Sequence, residues 1–179
     1  MSDEPVKMLH TVVSLDYERP PTQAARVYME GIRNKTLVGH RCSECGRTYL
    51  PPRGYCPVCV VPTGEADRVE MSDNGVVVTF TVIRPDPKVS KSLTERSCRG
   101  TIMLDGSSVT TMGEIKGVDP EAVRTGMRVR AIWADKLTEE DTALLRGGWG
   151  VAGIRGWEPT GEPDVPAAEV QKMTEAAQI

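Results

Sequence analysis

Four of the chain's five cysteines fall in the stretch CSECGRTYLPPRGYCPVC (42–59), arranged as two Cys-x-x-Cys pairs. Two thiolates on one tight turn facing two more on a second turn make a tetrahedral sulfur cage, and this spacing predicts that Cys42, Cys45, Cys56 and Cys59 hold a metal in a zinc ribbon. Gly46 directly follows the first pair, where a knuckle turn needs a residue free to adopt positive φ, and Pro57 stiffens the second turn from inside. A disulfide framework is the alternative. The opening MSDEPVKM has no positively charged start followed by an apolar core, so no secretory signal is visible. A cytoplasmic setting is expected, and its reducing conditions favour metal over disulfides. Rubredoxin-type iron uses the same four sulfurs, so the ligand set alone does not choose the metal. Iron would imply electron transfer, whereas a closed four-cysteine zinc site has no open coordination position and organises the fold.

Composition bounds the remainder. A chain of 179 residues suits one domain, or one small domain plus a module, and 39% hydrophobic residues can build an ordinary core. Seventeen glycines and thirteen prolines point to a loop-rich, mainly β chain. A formal charge of −3 and a pI near 5.5 argue against a nucleic-acid binder that works by neutralising phosphates. Aromatic residues are only 4%, with Phe80 the single phenylalanine, which leaves little with which to stack bases. No run approaches the length of a membrane span.

Along the chain, the first twenty residues have weak periodicity and end in Pro20 and Pro21, which reads as an arm laid on a surface. Thr22 can cap a helix running to roughly Asn34, because Ala24, Ala25, Tyr28, Met29 and Ile32 fall along one side at helical spacing. That apolar side must cover either its own chain or another subunit. After the cysteines the pattern changes to strands. GVVVTFTVI (75–83) is β-branched and bounded by turn residues, and GTIMLDGSSVTTMGEI (100–115) places Asp105-Gly106 between two apolar runs as a hairpin does. MRVRAIWAD (127–135) alternates as a half-buried strand, preceded by VDPEAVRTG with Asp119 as cap, Pro120 at the first helical position and Gly126 as stop. WGVAGIRGW (149–157) supplies a fifth strand, so the order is consistent with a small closed barrel of the OB type. LTEEDTALLRGG (137–148) is a long connection in which Thr138 and Asp141 can cap a short helix. Beyond Trp157 the proline-spaced, acidic tail reads as a solvated terminus, although Val170, Met173 and Ala177 recur at helical intervals and allow a clamp instead.

Catalytic groups are sparse. A nucleophilic cysteine needs a base nearby, but Cys98 is the one cysteine outside the pairs and the only histidines are His10 and His40. His40 stands two residues before a metal cysteine and is expected to pack beside the ribbon, and Cys98 lies in the loop-like run SCRG, where a free thiol is ordinary. No carboxylate pair or phosphate-cradling glycine motif is present.

Taken in order, the helix reading YMEGIRNKTLVGHRC, CxxCG, PPR, CPVC, the strand GVVVTFTVI, the hairpin and the DPEAVRTGMRVRA segment resemble the DUF35 family over about residues 24–157. The resemblance implies a mainly β fold: an N-terminal helix, a four-cysteine rubredoxin-like zinc ribbon, then a five-stranded OB-fold barrel with an extended C-terminal tail. The expected divisions are an arm over 1–21, a helical segment over 22–37, the ribbon over 38–64, the OB-fold over 65–158 and the tail over 159–179. It also implies a non-catalytic subunit, structural Zn2+, and a hetero-oligomer, expected as a heterotetramer, with a thiolase-like or lipid-transfer-type thiolase, acyltransferase or retro-aldolase acting on acyl-CoA. The apolar side of the N-terminal helix and the barrel would then meet the partner. A single-stranded nucleic-acid module is the alternative that an OB-fold suggests. Within the accessory reading, RPDPKVSKSLTERSCR (84–99) carries five basic residues against two acidic ones. Its Arg84, Lys88, Lys91, Arg96 and Arg99, with Arg53 of PPRGYC, are candidates to meet the phosphates of a coenzyme A thioester bound in the complex. A solvated basic loop is the plainer meaning of the same cluster.

Overall fold

A computed structural model describes residues 11–15, 20–86, 95–139, 141 and 153–177. Thr22 starts helix α1 (Gln23–Arg33) by accepting the N–H of Ala25 on its hydroxyl at 3.2 Å. Ala24, Tyr28, Met29 and Ile32 are buried along one side. At Gly31 the helix sits so close to the next strand that a Cβ there would lie 2.7 Å from the Thr36 carbonyl oxygen and 2.8 Å from Val38 Cγ2. Strands β1 (Leu37–Arg41), β2 (Thr48–Tyr49) and β3 (Arg68–Met71) then form an antiparallel sheet in the order β2-β1-β3. β3 lies in the 65–158 stretch but pairs with β1, with Val38 opposite Glu70.

The closed barrel begins at β4 (Asn74–Ile83) and continues through β5 (Ser97–Leu104), β6 (Thr110–Ile115), β7 (Arg128–Trp133) and β8 (Ile154–Pro159). Its order is β4-β5-β6-β8-β7, closed by the parallel pairing of β6 with β8 at Ile115 and Trp157. Gly106 at φ +81° turns the β5–β6 hairpin where Asp-Gly predicted it. Between β6 and β7, Asp119 Oδ1 accepts the N–H of Glu121 at 3.0 Å to start a single 3-10 turn over Pro120–Ala122. Val77, Ile102, Leu104, Ile115, Val129 and Trp157 fill the barrel, and Tyr28, Met29 and Ile32 of α1 belong to the same core.

Three expectations change. The apolar side of α1 is spent on its own chain, closing the junction of sheet and barrel, so it is not a surface for another subunit. The tail stays largely exposed but is attached rather than free: Thr160 and Val165 bond the barrel backbone, and α2 (Ala167–Ala177) seats Val170 at 3% exposure. The arm over 11–15 covers no surface of its own, since Val12, Val13 and Leu15 are each more than three-quarters open to solvent. The connection over 137–148, with its expected short helix, lies mostly outside the described residues, although Thr138 Oγ1 does accept the N–H of Asp141 at 3.1 Å.

Candidate metal centre and barrel groove

The two knuckles of the ribbon are close copies of each other. Cys42 donates its N–H to the Arg47 carbonyl at 2.8 Å and receives the Gly46 N–H on its own carbonyl at 2.9 Å. Cys56 repeats this with Val61 at 2.8 Å and Val60 at 2.9 Å. These turns bring the Sγ atoms of Cys42, Cys45, Cys56 and Cys59 within 4.8 Å of one another, with no disulfide among them. Cys42 and Cys56 are buried, Cys59 is half-buried and Cys45 is open.

Burial opposes ionisation of Cys56, but the N–H of Cys59 at 3.5 Å and the Tyr49 hydroxyl at 3.7 Å, with further hydrogen bonds, outweigh it and bring the thiol down to about 6. Cys59, hydrogen-bonded to Cys45 first of all and close to the other sulfurs, is pushed up to about 12. Four sulfurs this close resist becoming four thiolates unless a cation compensates them, and a soft four-thiolate donor set suits zinc. The residues therefore fit the ion.

One position breaks the copy. The first knuckle takes its left-handed residue as Gly46 at φ +69°, and the second places Val60 there at φ +57°. A β-branched side chain in that region costs about 1–2 kcal/mol relative to an ordinary conformation. Aligning CSECG with CPVCV exposes this difference in the sequence itself.

His40 packs beside the ribbon as expected, buried, with Nδ1 3.2 Å from Thr63 Oγ1. Burial lowers its pKa, and its Nε2 has no hydrogen-bond partner among the described residues. Cys98 is fully buried inside the barrel, where burial pushes its thiol up, and His40 stands in the other sheet.

The basic candidates do not form one cluster. Arg84 and Arg96 both turn to Glu121 on the 3-10 turn, at 2.7 and 3.8 Å. Arg99 points outward from β5, across from Thr81 on β4 and Glu114 on β6, and has no ion-pair partner among the described residues. It lines a groove of about 540 Å3 on β4, β5 and β6, whose outward apolar side chains are Ile83 and Met112, while Phe80 turns inward onto the core. Arg53 lies apart, its Cζ 5.9 Å from the Tyr49 ring centroid and its side chain on a separate cavity between the ribbon and the start of α1. Lys88 and Lys91 lie outside the described residues.

Comparison with known proteins places two family models on the chain: the rubredoxin-like zinc ribbon domain of ChsH2 over residues 29–61, and the C-terminal OB-fold domain of ChsH2 over residues 68–134. A DUF35 domain-containing scaffold protein from Methanocaldococcus jannaschii is 30% identical over 113 residues, which covers 63% of this chain and 78% of the relative. A second such scaffold protein, from Methanothermobacter thermautotrophicus, is 22% identical over 128 residues, 72% of this chain and 94% of the relative. Among solved structures, a DUF35 family protein of unknown function from Sulfolobus solfataricus superposes with a TM-score of 0.51 at 24% identity, covering 62% of this chain and 78% of that one. The Ltp2-ChsH2(DUF35) aldolase gives a TM-score of 0.53 at 20% identity over 79% of this chain and 98% of that one. At those identities the structural likeness is one of fold.

Proposed function

The chain belongs to the DUF35 family, and on that premise we propose that it is a non-catalytic zinc-binding subunit of a hetero-oligomer with a thiolase-fold enzyme acting on acyl-CoA. One observation carries the reading: the five cysteines, the chain's candidate nucleophiles, are all committed to structure. Four cysteines face one another in a closed sulfur cage, and the fifth is sealed in the barrel away from the described histidine. The relatives named as scaffold proteins, and the aldolase whose structure includes a DUF35 chain, support a partner subunit.

Cys42, Cys45, Cys56 and Cys59 would hold the zinc, which when bound supplies cross-linking of the two knuckles, all four positions being taken by sulfur. The barrel then contributes a surface. Arg99 in its apolar-walled groove is the candidate best placed for a phosphate of coenzyme A, because Arg84 and Arg96 already share Glu121. The partner would carry the thioester chemistry, as a thiolase, an acyltransferase or a retro-aldolase, in a complex proposed as a heterotetramer.

The test is an affinity pull-down of the tagged chain from its native extract, with the retained proteins identified by mass spectrometry and the complex mass measured by light scattering. A thiolase-fold chain at equal stoichiometry, and one zinc per chain in a colourless preparation, are expected. Recovery of the chain alone or with nucleic acid would overturn the partner, and a red, redox-active preparation would replace zinc by iron.

A further inference from the structure

Outside the arm, four large apolar side chains of the described residues stand open to solvent, and three of them, Tyr55, Val58 and Val60, lie on the second knuckle. Val60 is the most exposed of the three at 79%. It is also the residue in the left-handed conformation, where Gly46 serves the first knuckle. Glycine meets that backbone without steric conflict, so nothing in the fold calls for a valine, and strain kept at an exposed position points to use rather than to packing. The neighbouring Val61 shows the contrast, because it turns inward onto the cluster of Cys42, Tyr49 and Cys56.

The frame beneath the patch is well tied. The N–H of Val60 bonds the Cys56 carbonyl at 2.9 Å, Thr63 bonds Gly54 at 3.0 Å, and Tyr55 bridges to Pro62. A side chain presented on such a turn loses little conformational freedom on binding. Charge narrows the partner. The ribbon over 38–64 carries Arg41, Arg47 and Arg53 against Glu44 alone, in a chain whose formal net charge is −3. None of the three arginines has an ion-pair partner among the described residues, and Arg53 stands two residues before Tyr55. The matching surface is an apolar pocket on a protein with carboxylates near it, the valine and tyrosine serving as anchors and the excess positive charge of the ribbon favouring the approach.

We infer that the second knuckle, through Tyr55, Val58 and Val60 flanked by Arg53, is the docking point for the thiolase-fold partner. This rests on the accessory-subunit reading and adds to it which face of this chain is bound. The experiment measures dissociation constants between the zinc-loaded full chain and the thiolase-fold enzymes of the source organism, purified separately, alongside zinc content and melting temperature. Val60→Gly is expected to keep its zinc, to melt no lower than the wild type, and to bind at least about tenfold more weakly. Arg53→Glu is expected to bind more weakly chiefly through slower association, by a margin that shrinks as salt is raised. If the wild type binds and Val60→Gly and a Tyr55→Ser/Val58→Ser double variant bind within about twofold of it, the docking point is elsewhere and the subunit reading stands. If Val60→Gly loses zinc or melts lower, the valine serves the fold and the inference falls. If the wild type binds none of those enzymes, both readings fall together.

Discussion

Asp141 shows how one residue governs a response to acid. Its carboxylate, 5% exposed, accepts both terminal nitrogens of Arg155 at 2.6 Å and the N–H and hydroxyl of Thr138 at 2.7 and 2.8 Å. The Arg155 guanidinium and the Thr138 N–H hold its carboxyl well below the usual carboxylate range. In acid below about pH 4, where an unfolded aspartate takes up its proton, the folded chain still refuses it, so the unfolded state binds more protons and stability falls as pH falls. Because Arg155 is 40% exposed, solvent moderates the pair, and Asp141→Asn is expected to cost about 1–2 kcal/mol at pH 7. Urea midpoints between pH 3 and 7 check this: the variant's deficit should shrink as the pH drops below 4, and equal pH slopes for both proteins would show that Asp141 plays no part. At this scale the sequence reveals identity better than partnership. The four metal cysteines are legible because ligand type and spacing are local. Arg84 and Arg96 read as a basic loop, and their counter-charge, Glu121, is far along the chain and invisible without the fold.

Among the elements, the C-terminal strap is the one whose placement the sequence hides. Its composition is proline-spaced and acidic, the mark of a solvated tail, and what reverses that reading is a set of groups on the barrel. Arg128 on β7, 18% exposed, grips Asp105 of the β5–β6 hairpin with two bonds of 2.7 Å and reaches Glu162 of the strap at 3.1 Å. Arg124 binds Asp164, the N–H of Val165 bonds the Gly126 carbonyl at 2.8 Å, and Val170 of α2 closes the contact. The acidic residues are thus attachment points whose cations arrive from β7 and the connection before it. The Thr22 cap and the Asp105-Gly106 turn, by contrast, depend on neighbours within a few residues and were readable. Burial separates the two arginines. Arg128→Ala removes a bidentate pair from a mostly enclosed position and is expected to cost about 1–3 kcal/mol, whereas Arg124→Ala, at an exposed pair, should cost under about 1 kcal/mol. Guanidinium melts give those differences, and limited proteolysis should cut within 160–166 fastest in the Arg128 variant. Equal costs would mean that the strap is held by its backbone bonds and Val170 rather than by charge.

For the whole molecule, the distribution of the core decides what the metal holds. The main core is continuous from α1 through Leu37 and Leu50 of the ribbon into the barrel, ending on Trp157. Close packing there is shown by Gly113, where a Cβ would stand 2.4 Å from Trp157 Nε1. The cysteine cluster is separate and small: Cys42, Tyr49 and Cys56, with Cys59, Val61 and Val109 against it. It is too slight to order two knuckles by burial, so the metal has to supply that order. The β5–β6 hairpin joins it to the barrel, through Val109 and through a pair of backbone-anchored bonds at its neighbour. Ser108 of the β5–β6 hairpin donates its N–H to the Thr48 carbonyl at 2.9 Å, and its hydroxyl accepts the Thr48 N–H at 3.0 Å. Stripping zinc with a strong chelator is therefore expected to divide the molecule along this seam. Amide exchange should rise through residues 42–62 and at Ser108, while β5 and β7, whose inward side chains belong to the main core, keep their protection. The barrel should still melt cooperatively, at a somewhat lower temperature because β2 and the hairpin have lost each other. A uniform rise in exchange across all strands would instead show one folding unit, in which removing the metal removes the barrel surface along with the knuckles. A local loss separates the two proposed uses of the chain: chelation would abolish binding through the second knuckle while leaving the Arg99 groove intact.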